Sequence, residues 1–134
     1  MVNIKIYIVL LIAFIIFFEL IQPVNAKTRE KPLERLVLTL LAPKIQEQIN
    51  RYYEEKLTVS PIFSPFLDGT ELNVEYHPSH IDVYVTVIPY VGPHLDIGMD
   101  SMKFRIDNTG AVMAQEYKHM RDYKMLPNWQ HILR

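Results

Sequence analysis

The stretch "LNVEYHPSHIDVYVTVI", Leu72–Ile88, decides the fold. Leu72, Val74 and Tyr76 alternate with Asn73 and Glu75. Further on, Ile81, Val83, Val85 and Val87 alternate with Asp82, Tyr84, Thr86 and Ile88. A period of two sends successive side chains to opposite faces of a strand, so each run has one apolar and one more polar face. Between them His77-Pro78-Ser79-His80 suits a turn, because proline is favoured at the second position of a type I turn. Two strands so joined predict an antiparallel sheet covered on one side only.

Downstream, Met102, Phe104 and Ile106 alternate with Lys103, Arg105 and Asp107, predicting a third strand. Asp107-Asn108-Thr109-Gly110 reads as a turn, and Ala111 to about Tyr123 as a fourth strand of weak alternation. Upstream, Leu33 to Lys56 reads as helix. Leu33, Leu36, Val37, Leu40 and Leu41 follow one helical face, and Ile45, Ile49, Tyr52 and Tyr53 continue such a face after Pro43. Proline inside a helix costs about 3 kcal/mol unless it opens a new one. Two helices meeting near Ala42-Pro43, or one helix kinked there, are both expected. "LTVSPIFSPFLDG" from Leu57 is broken by Pro61, Pro65 and Gly69, yet carries Ile62, Phe63, Phe66 and Leu67. Its expected place is a loop folded over the end of the core, with a lid or partner-binding segment as the sharper alternative.

The helix and the sheet each have an apolar face that needs the other. The fold class is therefore α+β: an N-terminal helix, kinked or split near Pro43, packed on a four-stranded antiparallel meander. By shape it resembles cystatin-like folds, an analogy that licenses no function.

The N-terminus, "MVNIKIYIVLLIAFIIFFELIQPVNA", has one basic residue, Lys5, an apolar run from Ile6 to Phe18, a breaker at Pro23 and Val24-Asn25-Ala26 before the next charges. This is the three-part pattern of a secretory signal peptide cleaved after Ala26. As an uncleaved anchor the run falls short of the roughly 20 residues a spanning helix needs. The expected organisation is a signal peptide over 1–26, a mobile charged leader over 27–32 and one α+β domain over 33–134. Net charge is −1, which gives no electrostatic case for nucleic acid or anionic lipid; membrane contact would require that the signal peptide be kept as an anchor. The chain has no cysteine, so thiol catalysis, thiolate metal sites and disulfides are excluded.

"VIPYVGPHLDIGMD", Val87–Asp100, is where polar groups gather. Pro89 ends a strand, Gly92-Pro93 makes a turn and Gly98 allows another. In extended chain His94 and Asp96 would point to one face. A histidine beside a carboxylate is the minimum for general base chemistry or half a metal site; it is also what a solvated loop holds by chance. The candidate binding residues are Tyr90, His94, Asp96, Asp100 and Trp129. Trp129, the only tryptophan, lies in "MLPNWQHILR" and with Ile132 is expected to anchor the core edge. His77 and His80 have the spacing of a metal pair, but the turn explains them and a zinc site needs three or four ligands. No catalytic residue, metal site or cofactor is assigned.

"YYEEKLTVSPIF", "PYVGPHLDIGMDSMKFRID" and "LPNWQHILR" together resemble an uncharacterised family of small secreted proteins of spore-forming Gram-positive bacteria, domain of unknown function 3888. The resemblance covers Leu33 to Arg134. It implies an exported small domain and brings no activity, substrate or site residue. No G-x-S-x-G, H-E-x-x-H, P-loop or dinucleotide motif is present. A secreted non-enzymatic module that binds a protein or cell-envelope component is the expectation. The alternative is a small metal-assisted or hydrolytic enzyme centred on His94 and Asp96.

Overall fold

A computed structural model describes residues 26–134, with side chains described from Pro32 onward. The expected signal peptide, up to its last residue, lies outside the described residues. The chain divides into two units, Met1–Leu33 and Glu34–Arg134, and the fold below is that of the second. No helix among the described residues is long and apolar enough to cross a membrane.

Helix α1 runs unbroken from Ala26 to Tyr53, so the residues set aside as a leader are its first turns. It continues through Pro43 without a break, so of the two forms expected there the split does not occur. Pro43 forfeits the N–H that would bond the Thr39 carbonyl. Leu41, Ile45 and Ile49 around it are almost fully buried, each contributing about 1.5–3 kcal/mol, and together outweigh that loss. The unbroken helix also rephases its apolar face. The buried stripe is Leu38, Leu41, Ile45, Ile49 and Tyr53, whereas Leu36 and Leu40, expected inside, are exposed. The spacing set by Ile45 and Ile49 extends backward to 41 and 38, one turn at a time.

Four strands form the main sheet in the order β1 (Glu71–Tyr76), β2 (His80–Val87), β5 (Gly98–Asp107), β6 (Val112–Asp122), every neighbour antiparallel. The core face is built in rungs. Val74, Val83, Phe104 and Ala114 stand side by side, and so do Leu72, Val85, Met102 and Tyr117. Val83, Val85, Val87, Met102 and Phe104 pack with the α1 stripe in one cluster. This is the expected α+β architecture.

β6 shows why its alternation was weak. Lys103 pairs with Glu116 but Phe104 with Ala114, and Met99 pairs with Arg121 but Asp100 with His119. Gln115 and Met120 are therefore extra residues at two bulges, and each shifts which side chains face the core. The inward set is even-numbered at Val112 and Ala114, then odd-numbered at Tyr117 and His119.

Between β2 and β5 a small hairpin, β3 (Tyr90–Val91) with β4 (Leu95–Asp96), stands apart as its own two-stranded sheet. The proline-rich loop is pinned to it: Ile62 N–H donates to the Tyr90 carbonyl at 2.9 Å and Tyr90 N–H to the Ile62 carbonyl at 2.8 Å. Gln46 Nε2 donates to the Pro61 carbonyl at 2.7 Å, tying the same loop to α1. Pro61 is buried and Phe63 packs on the core, but Ile62, Phe66 and Leu67 stay exposed. A 3₁₀ turn, Pro127–Ile132, closes the chain with Ile132 buried.

Candidate functional site

The register sends Asp100 inward. Met102 and Phe104 face the core, and Asp100 lies two residues before Met102 on the same strand, so its carboxylate enters the same face and is wholly buried. The third rung of the core face is Val87, Asp100 and His119. A buried carboxylate needs partners. His119 Nδ1 lies 2.7 Å from Asp100 Oδ1, and the Tyr53 hydroxyl, reaching across from α1, donates to Oδ2 at 3.2 Å. Gly98 makes room for the approach. A Cβ there would fall 2.8 Å from the Arg121 carbonyl oxygen and 2.9 Å from the Tyr53 hydroxyl.

Tyr52 completes the enclosure. Its ring stacks on His119 at 5.0 Å and on Tyr117 at 5.1 Å, and meets Tyr53 edge-on at 4.8 Å. Burial, then the charge of Asp100, raises the Tyr53 phenol well above its ordinary range. Burial, then the nearby Asp100, raises Tyr117 too, although its hydroxyl is buried with no partner in hydrogen-bond geometry. Burial, then Asp100 and Asp122, raises Tyr52 as well. The Tyr53 hydroxyl is a donor here, and none of the three is poised as a nucleophile.

His119 is held from both sides. Its Nε2 lies 3.0 Å from Asp122 Oδ1, so both contacts are hydrogen bonds only when each ring nitrogen carries a proton. In that state the ring has no bare lone pair to act as a general base. Beside this group opens a cavity of about 320 Å³ lined by Tyr53, Lys56, Leu57, Ile97, Asp122, Tyr123, Met125 and Leu133. Its walls are mainly apolar, with the cation of Lys56 and the carboxylate of Asp122 among them.

Of the candidate residues, Asp100 lies in this buried group, Tyr90, His94 and Asp96 belong to the hairpin, and Trp129 lies in the 3₁₀ turn and packs against the hairpin. Tyr90 and His94 place their rings 4.7 Å apart, and Tyr90 pairs with Asp96 across the strands. His94 takes a left-handed φ of 59° at the hairpin turn. Among the described residues no hydrogen bond or ion pair joins His94 to Asp96. Trp129 seats its indole against Gly92, where a Cβ would fall 2.8 Å from the ring atom Cζ2. His119, Tyr53 and Asp122 were not foreseen. The parity of Asp100 with Met102 and Phe104 was a signal for the first half of the pair. Nothing in β6 signalled the second half, because the bulge at Gln115 shifts the parity of His119 in its pairing with β5.

Helix, meander and buried aspartate–histidine–tyrosine group define a small α+β domain with a polar brace at one end of its core. The chain belongs to the family described as "Protein of unknown function (DUF3888)", which matches residues 33–121. Two of the three sequence motifs lie inside that match, and "LPNWQHILR" lies beyond it. Comparison with the curated proteins and with the solved structures finds no match.

Proposed function

We propose that this protein is an exported, non-enzymatic module that binds a protein or cell-envelope component through the cavity beside Tyr53. The carrying observation is the cavity itself. It is of the size that small ligands or single side chains occupy, is mostly apolar, and has a few polar groups to fix orientation. Its neighbour, the Asp100–His119–Tyr53 group, holds the wall in place and offers no activated nucleophile. The test is capture from an envelope extract, comparing the protein with Leu133→Glu, which puts a charge into the cavity at a half-exposed position. Loss of the captured component in Leu133→Glu, with the fold kept, supports the cavity. Equal capture by both removes it. Export is tested separately: mass spectrometry of the culture supernatant should find a chain beginning Lys27-Thr28, and the intact chain in the membrane fraction would refute it.

A further inference from the structure

On the opposite face of the sheet, away from the cavity, a second polar group forms where β1 turns into β2. The turn is closed by His77 N–H donating to the His80 carbonyl at 2.9 Å. Asp82 follows on β2, its side chain 4% exposed. His80 Nε2 lies 3.6 Å from Asp82 Oδ1, and His77 Nε2 lies 3.7 Å from Asp82 Oδ2. All three donor atoms fall within 4.8 Å of one another.

These separations are too long for hydrogen bonds, which close at 2.7–3.2 Å. The His80–Oδ1 separation matches the edge of a metal's coordination shell, since ligands held about 2.0–2.2 Å from a tetrahedral cation stand about 3.4 Å apart, and His77 Nε2 lies within reach of the same point once its side chain turns. The tautomer fits too. His80 Nδ1 lies 3.0 Å from Ser79 Oγ; donating its proton there leaves Nε2 with a lone pair turned toward Asp82. The His77 and His80 rings stack at 4.5 Å, 20° from parallel.

We propose that His77, His80 and Asp82 form a site for a divalent transition-metal cation of the zinc type. Nearly parallel rings must open for both lone pairs to meet one ion, and the His77 side chain, 40% exposed, has room to turn. Glu75 Oε2, 4.0 Å from His77 Nε2, stands where a fourth ligand would come from. Two cations temper the site. Lys103 Nζ bonds Asp82 Oδ2 at 2.8 Å, and Arg105 bonds Oδ1 through Nε at 2.9 Å and Oδ2 through Nη2 at 3.2 Å. They take three of the carboxylate's roughly four lone-pair positions and leave one, on Oδ1, facing His80. The site is thus weaker than a closed structural zinc centre, and open to exchange.

The test uses the chain stripped with EDTA and titrated calorimetrically with zinc chloride at pH 7. One equivalent is expected. His77→Ala and His80→Ala should each weaken it at least tenfold. His131→Ala, an exposed histidine whose ring bonds the Asn128 carbonyl, should leave it unchanged. Magnesium chloride should give no binding, since imidazole ligands do not suit it. Far-ultraviolet circular dichroism on each variant confirms that the fold is intact. Absence of one-to-one zinc binding would overturn the site, and so would wild-type affinity in both His77→Ala and His80→Ala.

Discussion

Removing the imidazole of His119 should cost far more than its place on an edge strand suggests. Asp100 is fully buried, and its closest partner is His119 Nδ1 at 2.7 Å. The Tyr53 hydroxyl is a longer bond, at 3.2 Å to Oδ2 and 3.5 Å to Oδ1. In His119→Ala the carboxyl keeps Tyr53 alone, and stranding a buried polar group costs about 1–3 kcal/mol, more when it is charged. The His119 side chain is 16% exposed, so water can reach part of the vacated space and the expected loss is about 3 kcal/mol. That is a large share of a total stability of about 5–15 kcal/mol. Asp100→Ala/His119→Ala should then be less unstable than the two single losses added, by about 1–3 kcal/mol, because the second change removes the stranded charge. Urea unfolding of the protein and the three variants, followed by circular dichroism, measures every term. Simple additivity of the two losses, or a His119→Ala loss below about 0.5 kcal/mol, would refute the brace.

Val85→Asp should unfold the domain, since an unpaired buried charge costs several kcal/mol; Thr86→Asp, on the outer face opposite Glu71, should cost less than about 1 kcal/mol, and equal urea midpoints would refute the register. Arg105, then Lys103, holds the Asp82 carboxyl well below its usual range, so the pair stabilises the fold above the unfolded-state value of about 4 and loses that contribution as pH falls through the lower folded value. The stability gap between the protein and Asp82→Asn should therefore shrink below about pH 4, and a gap that stays constant down to pH 2 would sink the ion pair. Raised folded-state phenols work in the other direction: Tyr53 and Tyr117 favour the fold below about pH 10 and cease to do so as pH rises. Tyr117→Phe, which removes a buried hydroxyl without a partner, should be neutral or stabilising by about 1 kcal/mol and should blunt alkaline unfolding, whereas Tyr53→Phe should destabilise at pH 7. Gly92→Ala should cost about 1–3 kcal/mol through its left-handed φ of 52° and shift the fluorescence of the single tryptophan; Gly110→Ala, also left-handed but with open space around it, should leave that fluorescence unchanged.

Local period was the legible part of this sequence. β1, β2 and β5 followed from alternation alone, because every inward residue of these strands has the parity that the core requires. Asp100 obeyed the same rule and was legible in principle: two residues before Met102, it had to face inward, yet its polar neighbours His94 and Asp96 suggested a loop site instead. α1 misled through punctuation. Pro43 is a helix breaker by intrinsic preference, but the Leu41–Ile45–Ile49 stripe overrides it, and the phase of that stripe moves Leu40 to solvent and Leu38 to the core. What no local pattern could carry was pairing across the chain. His119 reaches Asp100 only because Gln115 is looped out of register, and a bulge leaves no mark in the alternation except its failure. The same holds on the outer face, where His77 and His80 looked like a turn and nothing more until the pairing of β1 with β2 brought Asp82 beneath them. Both polar groups of the domain thus sit where a regular period ends, at a bulge or at a turn. There the backbone departs from the ladder, and side chains distant in sequence are free to converge.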